Sequence, residues 1–175
     1  MTSAGGEQAG DLPYRPCVGV MLLNAHGLAW IGRRADHGGD ADAEGRGTWW
    51  QMPQGGMDEG EDPEAAARRE LWEETGVTSA RFIARSRDWH IYDLPPELVG
   101  IAWEGRYCGQ KQIWFAARFE GEESEIDIGP REGHRREFDA WRWVRVDALA
   151  GLVVPFKRPV YESVLREFAE LLKTR

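Results

Sequence analysis

Glu70, Glu73 and Glu74 stand at i, i+3 and i+4 inside the segment GGMDEGEDPEAAARRELWEETGV, residues 55–77. On a helix, at about 100° per residue, that spacing places all three on one face. A solvated acidic surface is the plain alternative, and three facts weigh against it. Like charges at i, i+4 destabilise a helix by roughly 0.2–0.5 kcal/mol per pair. Glu73 and Glu74 also fall in the last turn, where the helix dipole disfavours anions by roughly 0.3–1 kcal/mol each. Arg69 is placed to bridge to Glu73, but no lysine follows to relieve the rest. Such a face has a cation to collect. Carboxylates without His or Cys are hard oxygen donors, suited to Mg²⁺ or Mn²⁺ rather than Zn²⁺.

The elements that hold these glutamates are legible around them. Asp62 is a capping residue and Pro63 suits the first helical position, while Gly76 is a stop. Ala67 and Leu71 flank the acidic face and suit packing on a sheet. Upstream, PQGG predicts a tight turn without side chains, able to approach a phosphate or lend a carbonyl to a metal. CVGVMLLN and LAWIGRR read as strands of a hairpin, and WWQMPQ as a short strand stopped by Pro53. RFIARS, KQIWFAARFE and FDAWRWVRV are further strands, whereas residues 88–109 read as irregular. Residues 35–48 and 121–137 read as long loops. VDALAGL predicts one or two helical turns. A final helix over Arg158–Lys173 presents Val160, Val164, Leu165, Phe168, Leu171 and Leu172 near helical spacing. Few, interspersed helices among many strands suggest a mixed sheet with helices packed on it.

The bulk numbers restrict the function classes. A chain of 175 residues with 42% hydrophobic content suits one globular domain. With a net charge of −8, the molecule as a whole does not advertise a polyanion partner. Nucleotides or RNA would need a local basic patch or bound cations. Cys17 and Cys108 give neither a disulfide framework nor a metal spacing, which points to a reducing cytoplasm. The opening residues MTSAGGEQAGDLP lack Lys, Arg and an apolar core, so they read as a loose tail over residues 1–13 and not as a targeting peptide. Residues 14–175 are then a single domain. CVGVMLL is far too short to span a bilayer.

Gly55, Glu61, Arg69, Glu70, Leu71, Glu73, Glu74, Gly76 and Val77 match, position for position, the signature of the Nudix hydrolases, G-x5-E-x7-R-E-U-x-E-E-x-G-U with U aliphatic. YRPCVGVMLLN, WWQMPQGG, GQKQIWF, EFDAWRWV and VPFKRPVY extend the resemblance over nearly the whole ordered chain, toward the bacterial RNA pyrophosphohydrolase branch and the similar dinucleoside tetraphosphate hydrolases. The resemblance implies an α/β fold, an α/β/α sandwich around a central mixed β-sheet. It also implies hydrolysis of a nucleoside-linked phosphoanhydride with divalent metal, about two or three Mg²⁺ ions or Mn²⁺ in their place. Glu70, Glu73 and Glu74 are the implied metal ligands, joined by Glu137 and a carbonyl of Gly55 or Gly56. Arg69 is implied to orient the glutamates, and Glu61 to support them. Arg15, Arg34 and Lys157 are implied to hold phosphates and Phe156 to stack on a base, with Lys111 and Gln110 at the rim of the site. Surface charge and core packing are the plain alternatives for these residues.

The implied substrate is 5′-triphosphorylated RNA, converted to a 5′-monophosphate that opens the transcript to decay. A dinucleoside polyphosphate such as diadenosine tetraphosphate is the neighbouring reading, and YDLPPEL fits it at least as well. A Nudix-fold binding module without catalysis would have lost glutamates of the signature, and none is lost. A sanitising nucleotide triphosphatase is a weaker reading. No membrane and no obligate protein partner are expected. The departure is ADHGGDADAEGRGTWW, a longer and more acidic loop than the resemblance leads one to expect.

Overall fold

A computed structural model describes residues 11–35 and 49–173, so most of the expected tail and of the first long loop lies outside the described residues. Within it, Leu12 and Pro13 accept hydrogen bonds from the Cys108 thiol and backbone N–H, so order begins before Tyr14.

Among the described residues, eight strands share one sheet. They are β1 (Tyr14–Leu23), β2 (Ala29–Arg34), β3 (Trp50–Gln51), β4 (Gln54–Gly56), β5 (Ala80–Arg85), β6 (His90–Asp93), β7 (Gly109–Phe119) and β8 (Phe138–Val144). The main order is β3-β2-β1-β7-β5; β4 pairs with β1, β6 with β7 and β8 with β2. β1 and β7 run parallel in the centre, in register from Tyr14↔Gly109 to Leu23↔Arg118, and the other pairings are antiparallel. The sheet is mixed, as expected.

Alternation along β1 and β7 sorts side chains onto two faces. On one, Val18, Val20, Leu22, Ile113 and Phe115 are sealed by Ala66, Ala67 and Leu71 of helix α1 (Pro63–Thr75). On the other, Met21, Trp114 and Ile83 meet Val160, Tyr161, Val164 and Phe168 of helix α3 (Arg158–Lys173). Gly19 lies under Trp114, where a Cβ would come within 2.6 Å of the indole ring. Tyr161, which apolar spacing overlooked, stacks edge-on to Trp114 at 5.6 Å and accepts a hydrogen bond from Met52 N at 2.8 Å. VDALAGL forms a 3₁₀ turn (Val146–Ala148) and the short helix α2 (Leu149–Leu152).

Two expectations need correction. PQGG is not a tight turn: Pro53 divides WWQMPQ, and Gln54–Gly56 resumes as β4, paired with Cys17, Val18 and Gly19. Residues 88–109 are not wholly irregular, because HIYD pairs with β7 as β6; four residues with His and Asp at the ends give little apolar signal. The β7–β8 connection is the long loop expected, with one 3₁₀ turn at Glu123–Glu125, and it grips the end of α1. Arg131 Nη1 donates to Glu73 O at 3.0 Å, Asp127 N donates to Thr75 O at 2.8 Å, and the Arg131 guanidinium lies over Trp72 at 5.5 Å. The cation missing from the last turn of α1 is therefore supplied from across the fold.

Candidate active site

Helix α1 is set in place at both ends. The Asp62 carboxylate accepts from Ala65 N at 3.0 Å, Pro63 follows, and Gly76 closes the helix in the left-handed region at φ 75°. The acidic face then points at β4. Glu74 is buried, and its Oε2 accepts from Gln54 N at 3.2 Å. The Glu70 carboxylate lies where a Cβ on Gly55 would be, and the Arg15 guanidinium lies where a Cβ on Gly56 would be. Both glycines are thus required by close approach.

Arg69 organises the acids. Its Nε and Nη2 grip both Glu61 oxygens at 2.8 and 3.0 Å, Nη1 donates to Glu70 at 2.9 Å and Glu73 at 3.2 Å, and Nη2 also reaches Gly56 O at 2.9 Å. Glu61 in turn accepts from Asp58 N at 2.8 Å. The bidentate Arg69 pair holds the Glu61 carboxyl below the usual range. Burial pushes Glu70 the other way, to about 7, although Arg69 opposes it. Burial raises Glu74 well above the ordinary value, and the charges of Glu137 and Glu70 add to it.

Glu70 and Glu74 floor a cavity of about 360 Å³ that also collects Arg15, Arg34, Glu137, Phe156 and Lys157. Arg15 of β1 and Gln110 of β7 are register partners and enter from the same face. Lys157 is buried, with Nζ 5.8 Å from the Tyr92 ring centre, and Phe156 meets the same ring at 5.7 Å. Phe156 is therefore both packed against the core and on the cavity wall. Lys111 is the exception: alternation turns it to the opposite face from Gln110, where its Nζ sits 4.8 Å from the Trp89 ring centre. Glu73 and Arg69 stand behind the lining residues as the brace described above.

The sequence reading overlooked Gln51, Gln54, Tyr92 and Trp103, all of which line the cavity. Trp103 occupies the left-handed region at φ 50° and stands 5.6 Å from the Arg15 guanidinium. An aromatic followed by Glu-Gly in an irregular stretch was the available signal. A row of amides also leads into the site. Trp114 Nε1 donates to Gln112 Oε1 at 2.8 Å, and Gln112 Nε2 donates to Gln110 Oε1 at 2.7 Å. An indole N–H can only donate, so the row has one polarity and leaves the Gln110 amide N–H₂ to offer to the cavity.

The donor set fits a hard divalent cation: it is oxygen-rich and buried, and its glutamates lose free energy by ionising unaided. Among the described residues, no three His, Cys, Asp or Glu side chains already form a cage, because Arg69 draws Glu70 and Glu73 to itself and Gln54 N engages Glu74. No helix among the described residues is long and apolar enough to cross a membrane.

Residues 13–164 match the NUDIX domain. The chain is 56% identical over 165 residues to an RNA pyrophosphohydrolase of Agrobacterium fabrum, covering 94% of this chain and 96% of that one. It is 57% identical over 162 residues to an RNA pyrophosphohydrolase of Brucella ovis, covering 92% and 90%. Among solved structures, a C. elegans Ap4A hydrolase binary complex superposes with TM-score 0.61 at 16% identity, covering 92% of this chain and 99% of that one. The E. coli dihydroneopterin triphosphate pyrophosphohydrolase does so with TM-score 0.59 at 19% identity, covering 87% and 97%. At such identities the structural likeness speaks for the fold.

Proposed function

The chain belongs to the Nudix hydrolase family, and from that premise we propose that it is an RNA pyrophosphohydrolase, converting the 5′-triphosphate end of RNA to a 5′-monophosphate with release of pyrophosphate. The observation that carries this reading is one cavity with an acidic floor, Glu70, Glu74 and Glu137, facing Arg15, Arg34, Lys157 and Phe156. The high identity to RNA pyrophosphohydrolases along almost the whole chain supports the choice of RNA.

Glu70, Glu73, Glu74 and Glu137 are the proposed ligands of about two or three Mg²⁺ ions, with Mn²⁺ able to substitute, and bound there the ions neutralise phosphate charge and acidify water. Gly55 is the proposed backbone ligand, since its missing side chain lets the Glu70 carboxylate lie against it. Arg15, Arg34 and Lys157 hold the phosphate oxygens through charge-assisted hydrogen bonds. Arg69 keeps Glu70 and Glu73 fixed. Water forms a bond to phosphorus, the anhydride P–O bond breaks toward the departing pyrophosphate, and the proton of the water passes to Glu70, Glu74 or Glu137. Phe156 stacks on the first base with little dependence on its identity.

The test is a direct competition. With Mg²⁺ present, purified protein is offered equal amounts of 5′-triphosphorylated RNA and diadenosine tetraphosphate. A higher kcat/KM on RNA is expected, with Glu74→Gln abolishing turnover while the fold persists. A strong preference for the dinucleotide would sink the RNA reading, and near wild-type turnover by E74Q would sink the site.

A further inference from the structure

Helix α1 covers only part of its face of the sheet, and what lies beyond its margin differs in character from the rest of the molecule. Along β7, residues 111, 113 and 115 point to this face. Ile91, opposite Lys111 on β6, points the same way and is 52% exposed, and Trp89 beside it is 40% exposed. Three cations stand over rings along this border: Lys111 over the exposed Trp89 at 4.8 Å, Arg85 over the buried Phe115 at 5.8 Å and Arg68 over the half-buried Phe82 at 4.2 Å. Phe82 and Phe115 are themselves in contact at 5.5 Å. Glu64 partners Arg68 at 2.9 Å, whereas no carboxylate pairs with Arg85 or Lys111 in the described structure. From Lys111 to Arg85, the register partner of Phe115, the spacing along β7 is about 13 Å at 3.3 Å per residue, with Ile113 buried between them.

This basic and aromatic strip stands on a chain of net charge −8 and begins at the strand neighbours of cavity-lining residues, on the reverse face of the sheet. Gln110 and Tyr92 line the cavity, and their neighbours Lys111 and Ile91 begin the strip on the reverse face. β6 is only one strand wide and has β7 as its partner, so a chain leaving the cavity needs to round a single edge. We propose that the strip, centred on Trp89, Lys111 and Arg85, carries the single-stranded nucleotides of RNA that follow the reacting 5′ end. This inference rests on the RNA reading above and extends it from the end of the substrate to its body. The cations match the backbone phosphates, and the exposed Trp89 ring offers a stacking surface without sequence preference. A dinucleoside polyphosphate is too short to reach the strip, so the strip would serve only RNA.

The test compares substrates of two lengths. Wild type, Trp89→Ala and Arg85→Gln are assayed on a 5′-triphosphorylated dinucleotide and on a 5′-triphosphorylated single-stranded RNA of about 12 nucleotides. Both variants should raise KM on the long RNA by about fivefold or more, with kcat unchanged, and leave the dinucleotide kinetics as they were. R85Q should also flatten the log–log salt dependence of long-RNA binding by about one; W89F should restore KM. Equal kinetics of variants and wild type on long RNA would overturn the track. So would equal losses on both lengths, which mark general damage. Failure of wild type on both RNAs would instead overturn the RNA reading itself.

Discussion

Replacing Glu70 with Gln tests whether the acidic floor waits for a cation. In the metal-free fold burial raises the Glu70 carboxyl from 4.5 to about 7. Because the folded value lies above the unfolded one, its stabilising contribution is full below pH 4.5 and is lost as pH climbs through 7. Linkage at 1.36 kcal/mol per pKa unit makes the loss about 1 kcal/mol at pH 5 and about 3 kcal/mol at pH 8. Glutamine cannot ionise and escapes that loss, while the weakened contact with Arg69 enters as an offset largely independent of pH. In EDTA the stability of E70Q relative to wild type should therefore rise by about 2–3 kcal/mol from pH 5 to pH 8, or about 4–12 °C in relative Tm for a chain of this size. Thermal melts of both proteins across that range, repeated with saturating Mg²⁺, give the measurement. Mg²⁺ should raise the wild-type Tm at pH 8 and raise that of E70Q less. Parallel pH profiles in EDTA would refute the reasoning, because they would show that burial does not govern Glu70.

Other perturbations probe the remaining parts. Gly55→Ala drives a methyl into the Glu70 carboxylate and should lower kcat by about tenfold or more, with a weaker apparent Mg²⁺ affinity, as read by activity titrated with metal. Gln112→Glu keeps the acceptor for Trp114 but cannot donate to Gln110. The Gln110 amide should then turn its oxygen toward the cavity, raising KM about tenfold while Gln112→Asn damages less, which steady-state kinetics on triphosphorylated RNA would detect. Arg131→Ala removes the donor to Glu73 O and should cost about 1–2 kcal/mol in urea unfolding, with m unchanged.

The acidic face was legible because a helix has a fixed period and its caps have side-chain signatures: Asp62, Pro63 and Gly76 set the limits that the fold confirms. The last helix was legible for the same reason, with Val160, Val164 and Phe168 all buried. What escaped depends on partners far apart in sequence. Arg131 reaches α1 from a different connection, so nothing near Glu73 announces it. β6 exists because β7 offers it an edge, and four residues carry too little pattern to reveal that. Lys111 was placed at the rim by proximity to Gln110, yet a strand sends neighbours to opposite faces. Tyr92 and Trp103 required the cavity itself to be seen.

The grip of the β7–β8 connection on α1 has a dynamic consequence. The segment that holds Glu73 O and Thr75 O also ends in Glu137, whose carbonyl accepts from Ala35 N at 2.9 Å at the end of β2, so one connection ties the last turn of the helix to the sheet. Loss of the Arg131 and Asp127 contacts would free the last turn of the helix while Glu137 stays tied to Ala35. The central pair β1 and β7, sealed on both faces, stays closed meanwhile. The last turn of α1 is thus held by contacts from one connection and opens more readily than the sheet beneath it, which amide hydrogen exchange would register.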